Sequence, residues 1–455
     1  MTAFKTGTIE ARLVDEVKTL VQLEKLDTLK KLVAEMRPAD VADLIEHLAA
    51  DERLAIFQLL EPEGAGDVLV EIEPPVQELI LKDLDNQAIS DIVAELDSDD
   101  AADLVGDLPA DRAKEVIEAV DDHISEELEK LLPFPDDTAG GLMALEFVAV
   151  KADATVGDAI KTIREEGKEV ENLYYIWVID DFQRLVGVIS LKDLVLQTED
   201  RKIGDIMNPD VISVEVNTDQ EEVAHLVRRY DLVHIPVVDD HYRLVGRITH
   251  DDIIDVIEEE NDEDMSLMAG VIPQEITEES TLKISRARLP WLIAALFGGV
   301  FAAVVIDQFE ASIKAMISLS FFFPVVMAMG GNTGIQASSV VVRGLATGDI
   351  GLVNIGKRLW MELRVALING LICGGMLGLI VGFWVGDYRL GLIVNIALFL
   401  IIIISGIIGT SVPLALKRLN VDPALAAGPF VTTSNDILSL LIYLGLTTWF
   451  LHMTL

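Results

Sequence analysis

The 455-residue sequence predicts a multidomain chain: an all-α superhelical N-terminal domain, a tandem α/β pair, a connecting helix and an α transmembrane domain of five helices. Three observations lead there. Charge is unevenly divided. From Arg286 onward there are 7 acidic and 10 basic residues, so the preceding part holds 69 of the 76 acidic and only 25 of the 35 basic ones. Five apolar runs, each near or above the ~20 residues needed to span a bilayer, all lie in the later part. Between the acidic start and the apolar end, one pattern recurs at an offset of 59 residues. The expected divisions are 1–136, 137–201, 202–260, 261–288 and 289–455.

The balance of charge excludes some classes of function. So acidic a surface repels nucleic acid and anionic headgroups and draws cations, so no nucleic-acid partner is expected. Bound divalent cations would relieve the stored repulsion. The single cysteine, Cys373, rules out a disulfide within the chain. Residues 1–30 carry no signal-peptide apolar core, which makes the membrane region the first translocation signal. The chain has no P-loop and no motif of an energised pump, and nothing in it reads as the catalytic site of an enzyme.

Residues 1–35 predict a helix with Leu13, Val17, Leu20, Val21 and Leu23 near one face. From Arg37 to Val120, short apolar segments are separated by Pro or Asp/Ser breaks, each offering an N-cap before a new helix. The similar segments Asp40–Leu48, Ala88–Leu96, Asp100–Leu108 and Asp111–Val120 predict a superhelix of small units. The cluster Asp97, Asp99, Asp100 and Asp103 reads either as caps on a solvated face or as cation ligands.

The repeat follows. Asp181–Leu194 (DFQRLVGVISLKDL) aligns with Asp240–Ile253 (DHYRLVGRITHDDI), and Tyr175–Asp180 aligns with His234–Asp239. Each unit predicts strand, helix, strand, turn, strand, helix, with Ser190 or Thr249 opening the last helix and Asp193 or Asp252 three residues on. The pattern resembles a tandem pair of CBS domains, in which such Ser/Thr-x-x-Asp positions can hold the ribose of an adenine nucleotide. A plain capping box is the structural alternative.

Asp251–Asp264 then places Asp252, Asp255 and Glu259 on one helical face, with Glu260, Glu263 and Asp264 following at helical spacing. Like charges at that spacing destabilise a helix, and hard cations with oxygen ligands reverse the sign. A solvated acidic tract is the alternative.

The apolar runs are Leu289–Ile306, Ile317–Val342, Leu359–Val385, Leu390–Leu416 and Ala424–Leu451. Basic residues at alternate ends (Arg286 and Arg288, Arg343 to Arg358, Lys417 and Arg418) place the N-terminal region in the cytoplasm and the C-terminus outside a cell membrane. Two stretches resist a purely lipid-facing reading. In Met329–Gln336 (MGGNTGIQ), three glycines predict a loosened backbone whose polar groups need protein or a water-filled cavity; close helix packing through small residues is the alternative. In Gly428–Asp436 (GPFVTTSND), an acid sits among apolar neighbours with no basic residue in the same run, which points to a cation pathway.

Taken together, these features resemble the MgtE family of magnesium channels over essentially the whole chain. The motifs that carry the resemblance are Pro324 with Met329–Gln336, Asp422–Ala424 with Gly428–Asp436, Thr138–Met143 (TAGGLM), Asp219–Val223 (DQEEV) and Thr249–Asp255 (THDDIID). The resemblance implies a homodimer in a lipid bilayer, with Mg²⁺ as both transported and regulatory ion and ATP as a candidate regulator. It implies a pore on the dimer axis lined by the second and fifth helices, with Asp436, Asn332 and Gly331 at the ion path. It implies sensor ligands among Asp99, Asp103, Asp219, Glu221, Asp231, Asp252, Asp255, Glu260, Glu263 and Asp264, and a connecting "plug" helix that closes the mouth when ions bridge the acidic faces. Ile335 departs from the polar residue that many relatives carry.

Three other readings compete. A nucleotide-regulated transporter of another divalent cation, Mn²⁺ or Co²⁺, fits oxygen-only ligands less well than Mg²⁺. A nucleotide-gated transporter of another solute would respond to adenine nucleotide and not to Mg²⁺. An intramembrane aspartyl protease would need Asp422 and Asp436 as a dyad, but fourteen residues on one helix set them about 21 Å apart.

Overall fold

The computed structural model describes residues 11–454 except 169, 171, 272–279, 348–349, 351–354 and 420. It divides into two compact units, Met1–Glu258 and Glu259–Leu455.

In the first unit, ten short helices fill residues 11–131 among those described. Proline explains much of the segmentation: it occupies the first turn of Pro38–Glu46, Pro62–Val70 and Pro74–Asp83, where its missing N–H is no loss but where it ends whatever precedes it. Helices pack on the next but one, Pro38–Glu46 on Pro62–Val70, that on Asn86–Val93, and that on Ala110–Ala119. This is the stacking of a superhelix. The single helix expected over 1–35 is instead two, Ala11–Gln22 and Leu26–Val33, broken where Glu24 adopts a φ of 53°; residues 1–10 lie outside the described ones.

Two three-stranded sheets follow, Ala149–Lys151, Tyr175–Ile179, Leu185–Ser190 and Val214–Glu215, Ile235–Val238, Leu244–Ile248. In each, the first pair is parallel and the second antiparallel. The 59-residue offset holds to the register: Trp177 faces Val188 as Pro236 faces Arg247, and the ladders slip at Val178/Ile179 and at Val237/Val238. Each Leu-Val-Gly lies inside a strand, and its glycine is crowded: a methyl at Gly187 would stand 2.5 Å from Met207 Sδ and one at Gly246 2.9 Å from Ala144 O.

The helix His250–Ala269 crosses the division expected at 260/261 without a break. It stops at Gly270, whose φ of 71° lets Gly270 N–H donate to Leu267 O and Val271 N–H to Ser266 O. Of the connector expected over 261–288, residues 272–279 lie outside the described ones, and Thr281–Arg288 belong to the next helix.

The second unit holds five helices long and apolar enough to cross a membrane. They are Thr281–Gln308, Phe323–Ala346, Ile355–Val385, Tyr388–Arg418 and Pro429–Thr454, called here the first to fifth membrane helices. The fourth is the hub, with the second, third and fifth packed on it. The first touches mainly the fifth and leaves Leu292, Leu296, Phe297, Val300 and Phe301 exposed, a face suited to lipid.

Candidate functional site

The second membrane helix is a regular α-helix from Phe323 to Ala346, so the loosened backbone expected at Gly330, Gly331 and Gly334 is absent. Thr333 Oγ1 donates back to Met329 O at 2.7 Å within the same helix. The glycines act by size instead. A methyl at Gly330 would collide with Ser439 Oγ, and one at Gly334 with Asn435 Nδ2, so these two let the fifth helix approach the second. Gly331 differs: a methyl there would stand 3.3 Å from Asp436 Oδ1 and 3.6 Å from Thr432 Cγ2. The bare Cα of Gly331 therefore faces the acid, and packing and polar wall are both present in one motif.

Asp436 lines a cavity of about 390 Å³ together with Thr432, Thr433, Ile335, Gly298 and Gly428. Asn332 and Ser434 are exposed and do not line it. Asn435, unremarked in the sequence, is fully buried with neither amide atom hydrogen-bonded; Ser439 Oγ, one turn on, is also buried and unbonded. The i, i+4 spacing from Asn435 to Ser439, matching Gly330 and Gly334 on the facing helix, was the signal available. Asp422 lies beyond the break at Gly428, where its Oδ1 accepts from Ala424 N–H at 2.8 Å as a local cap.

Met268 and Ala269 close one side of the same cavity. A methyl on Gly428 would be 2.8 Å from Met268 O and 3.3 Å from Leu267 O. Leu267 and Met268 also pack on Val342 and Ala424. The last turn of the helix His250–Ala269 is thus seated against the start of the fifth membrane helix, carbonyl end first.

The acids of the first unit gather between the helix Ser98–Gly106 and the start of His250–Ala269. Glu146 anchors the former: its carboxylate accepts from Ser98 N–H (3.2 Å) and Oγ–H (2.8 Å), while Ser98 Oγ accepts from Leu145 N–H at 2.8 Å. Thr249 anchors the latter, donating from N–H (3.0 Å) and Oγ1 (2.5 Å) to Asp252. Asp99 is only 8% exposed. Burial, then Asp252, Asp100 and Glu146, hold its carboxyl well above the usual range. Burial, then Asp252 and Asp97, push Asp100 up to about 7. Asp103 is crowded by protein on one side but open to solvent on the other; crowding, then Asp136 and Asp100, raise it to about 7. Burial also raises Asp252, against the pull of Thr249, and takes Asp255, beside Asp252 and Glu71, to about 6. Carboxylates on both helices raise one another. Sequence reasoning named Asp99, Asp103, Asp252 and Asp255 and missed Asp136, Glu71 and Glu146 as neighbours, because they come from distant loops and helix ends.

The remaining expected ligands are dispersed. Asp219 caps the helix Gln220–Tyr230, accepting from Glu221 N–H at 3.0 Å, and Asp231 closes its other end with φ 52°. A helix of that length sets the two ends roughly 16 Å apart, so Asp219 and Asp231 serve different ions if they serve any. Glu260, Glu263 and Asp264 lie on the second-unit part of His250–Ala269. Ser190 caps the helix Leu191–Val195: its Oγ accepts from Asp193 N–H at 3.0 Å and donates to Asp193 Oδ2 at 2.7 Å. Among the described residues, the one trio with ligand atoms within 4.8 Å of one another is Asp239, Asp240 and His241, on an exposed turn where Arg243 already holds Asp239. The acids between the two anchored helices are near one another without forming a closed ligand shell. That spacing suits a cation that keeps much of its water, as Mg²⁺ does.

Comparison with known proteins agrees with this architecture. Residues 323–446 match the MgtE divalent cation transporter family, residues 36–137 the MgtE intracellular N domain, and residues 139–197 and 203–259 CBS domains. The chain is 35% identical to the magnesium transporter MgtE of Bacillus subtilis (strain 168), over 97% of this chain and 98% of that one. It is also 35% identical to the magnesium transporter MgtE of Thermus thermophilus, over 96% and 98%. Among solved structures it resembles the cytosolic domain of the Mg²⁺ channel MgtE in complex with ATP, with a TM-score of 0.50 and 35% identity, covering 53% of this chain and 99% of that one. A shared N domain, CBS pair and membrane domain, matched nearly end to end at this identity, make the chain a multi-pass membrane protein of the MgtE family.

Proposed function

We propose that this chain takes up Mg²⁺ through a cell membrane as a homodimer, and that cytosolic Mg²⁺ closes the path by binding the acids of the N domain, CBS pair and connecting helix. The observation that carries the reading is the Asp436 carboxylate: it lines a cavity with Thr432 and Thr433, lies beside the bare Cα of Gly331, and has no basic partner among the described residues. An ionised acid there is costly unless hydrated or facing a cation. In a dimer it appears twice, a small acidic ring able to hold a largely hydrated ion. The positive-inside bias puts the acidic region in the cytosol and the C-terminus outside.

The regulatory half rests on the facing acids. Without ions they repel and keep protons; with ions they are bridged. An ion shifts this equilibrium only through its differential affinity for the two arrangements, and sites completed by two surfaces provide that difference. Asp99, Asp103, Asp252 and Asp255 form the central group, and Asp219, Glu221, Asp231, Glu260, Glu263 and Asp264 outlying ones. The complex of the MgtE cytosolic domain with ATP supports a second regulator, an adenine nucleotide near Ser190, Asp193 and Thr249.

The test is Asp436→Asn in proteoliposomes, with Mg²⁺ flux and the amount of inserted protein measured together. Flux is expected to fall to background at unchanged insertion. Flux at the wild-type level would remove Asp436 from the path.

A further inference from the structure

Arg247 lies in the strand Leu244–Ile248 and is 2% exposed, the largest side chain among those fully buried. Its backbone is locked, N–H to Ala144 O at 2.9 Å and O to Ala144 N–H at 2.8 Å. Its guanidinium reaches only His234 Nδ1, at 3.4 Å, and leaves Nε and Nη2 without partners. No carboxylate of the described residues pairs with it. A buried guanidinium normally has such a carboxylate, because an unpaired one costs several kcal/mol. His234 does not share the charge. Buried beside Tyr174 and Tyr175, it is held down to about 4 by burial and then by Arg247 itself, so it stays neutral. At 2% exposure the group is also closed to a soluble anion.

What faces Arg247 at longer range is acid. Asp252, held by Thr249 two residues beyond Arg247, feels the guanidinium directly, and Asp251 acts on the neighbouring His234. Asp252 in turn acts on Asp99, Asp100, Asp103 and Asp255. Through Asp252 the guanidinium offsets part of the repulsion among these acids, and by reciprocity Asp252 favours its charge.

We infer that Arg247 is a built-in counter-cation of the acidic sensor, which sets the Mg²⁺ concentration at which the sensor fills. The inference rests on the regulatory reading above. A fixed positive charge competes with every divalent ion arriving at the cluster, so its removal strengthens ion binding. It also makes the ion-free contact between the two acidic helices less favourable, which sharpens the dependence on Mg²⁺.

The experiment is limited proteolysis of the full-length protein in detergent, titrated with Mg²⁺ at constant ionic strength, for wild type, Arg247→Met and Arg247→Lys. Met keeps the aliphatic bulk without charge; Lys keeps the charge without the planar fork. The expected result is a midpoint roughly three- to tenfold lower in R247M, and a midpoint within twofold of wild type, as a rough bound, in R247K. Equal midpoints in wild type and R247M would overturn the inference. So would equal shifts in R247M and R247K, which report packing. Absence of any Mg²⁺ protection in wild type is a different outcome, and it overturns the regulatory reading itself. If R247M does not accumulate, Arg247→Gln, which keeps a polar head, is read against the same criteria.

Discussion

Asp100→Asn tests the physics of the sensor most directly. Asp100 sits in the first turn of the helix Ser98–Gly106, largely buried, with its carboxyl raised from 3.8 to about 7 by burial first and by Asp252 and Asp97 next. Ionising it in place therefore costs about 4 kcal/mol more than in the unfolded chain. The sign follows from linkage: the native state binds the proton more tightly, so this contribution to stability is fully present below about 4 and is lost as pH rises towards about 7. Between pH 6 and pH 8, Asp100 alone withdraws about 1.4 kcal/mol. Asp103 acts in the same direction, but its solvent-facing side screens it to a fraction of that. The amide of Asn removes the titration and keeps the shape, while giving up about 0.3–1 kcal/mol of favourable charge at a helix N-terminus. In the full-length protein without Mg²⁺, protection of Ser98–Gly106 from hydrogen exchange should fall from pH 6 to pH 8 in wild type. In D100N the fall should be shallower by about 1.4 kcal/mol, with more protection than wild type at pH 8. Protection that rises with pH in wild type, or an identical slope in D100N, would show that repulsion among these acids does not govern the contact.

Two further substitutions address the membrane unit. Gly428→Ala puts a methyl 2.8 Å from Met268 O, so the seated helix end must move by several tenths of an ångström; Mg²⁺ current should persist at millimolar cytosolic Mg²⁺, and closure at the wild-type concentration would count against the seat. Gly334→Ala drives a methyl into Asn435 Nδ2 between two helices that have no room to part; overpacking of this kind costs about 1–3 kcal/mol, read as a lower melting temperature of the purified protein, and an unchanged one would mean the helices separate freely.

Much of the architecture was legible because it is written in local chemistry. Proline at a helix start, Ser/Thr-x-x-Asp at the strand-to-helix turns, and ~20-residue apolar runs act over a few residues, and the 59-residue offset is visible without a partner. The uninterrupted helix His250–Ala269 was also readable, since no Gly or Pro stands between His250 and Gly270. What stayed hidden depends on distant pairs. Gly330 and Gly334 looked like loosened backbone because the residues that need their smallness, Ser439 and Asn435, are about a hundred positions away. Arg247 read as an ordinary strand residue because neither its burial nor its missing partner can be seen from its neighbours in sequence.

The helix His250–Ala269 carries both ends of the proposed control. Asp252 and Asp255 lie in its first turns and Met268 in its last. To move a gate from about 1:99 to about 99:1, regulatory ions must favour one arrangement by about 5.5 kcal/mol. A single exposed ion pair, worth at most about 1 kcal/mol, cannot do this. The acids around Asp99, Asp100 and Asp252 can, because they crowd one another, so each bridging ion removes a repulsion as well as adding an attraction. The same reasoning explains why Arg247 need not touch an ion to matter: it acts on Asp252, which in turn acts on Asp99, Asp100 and Asp103.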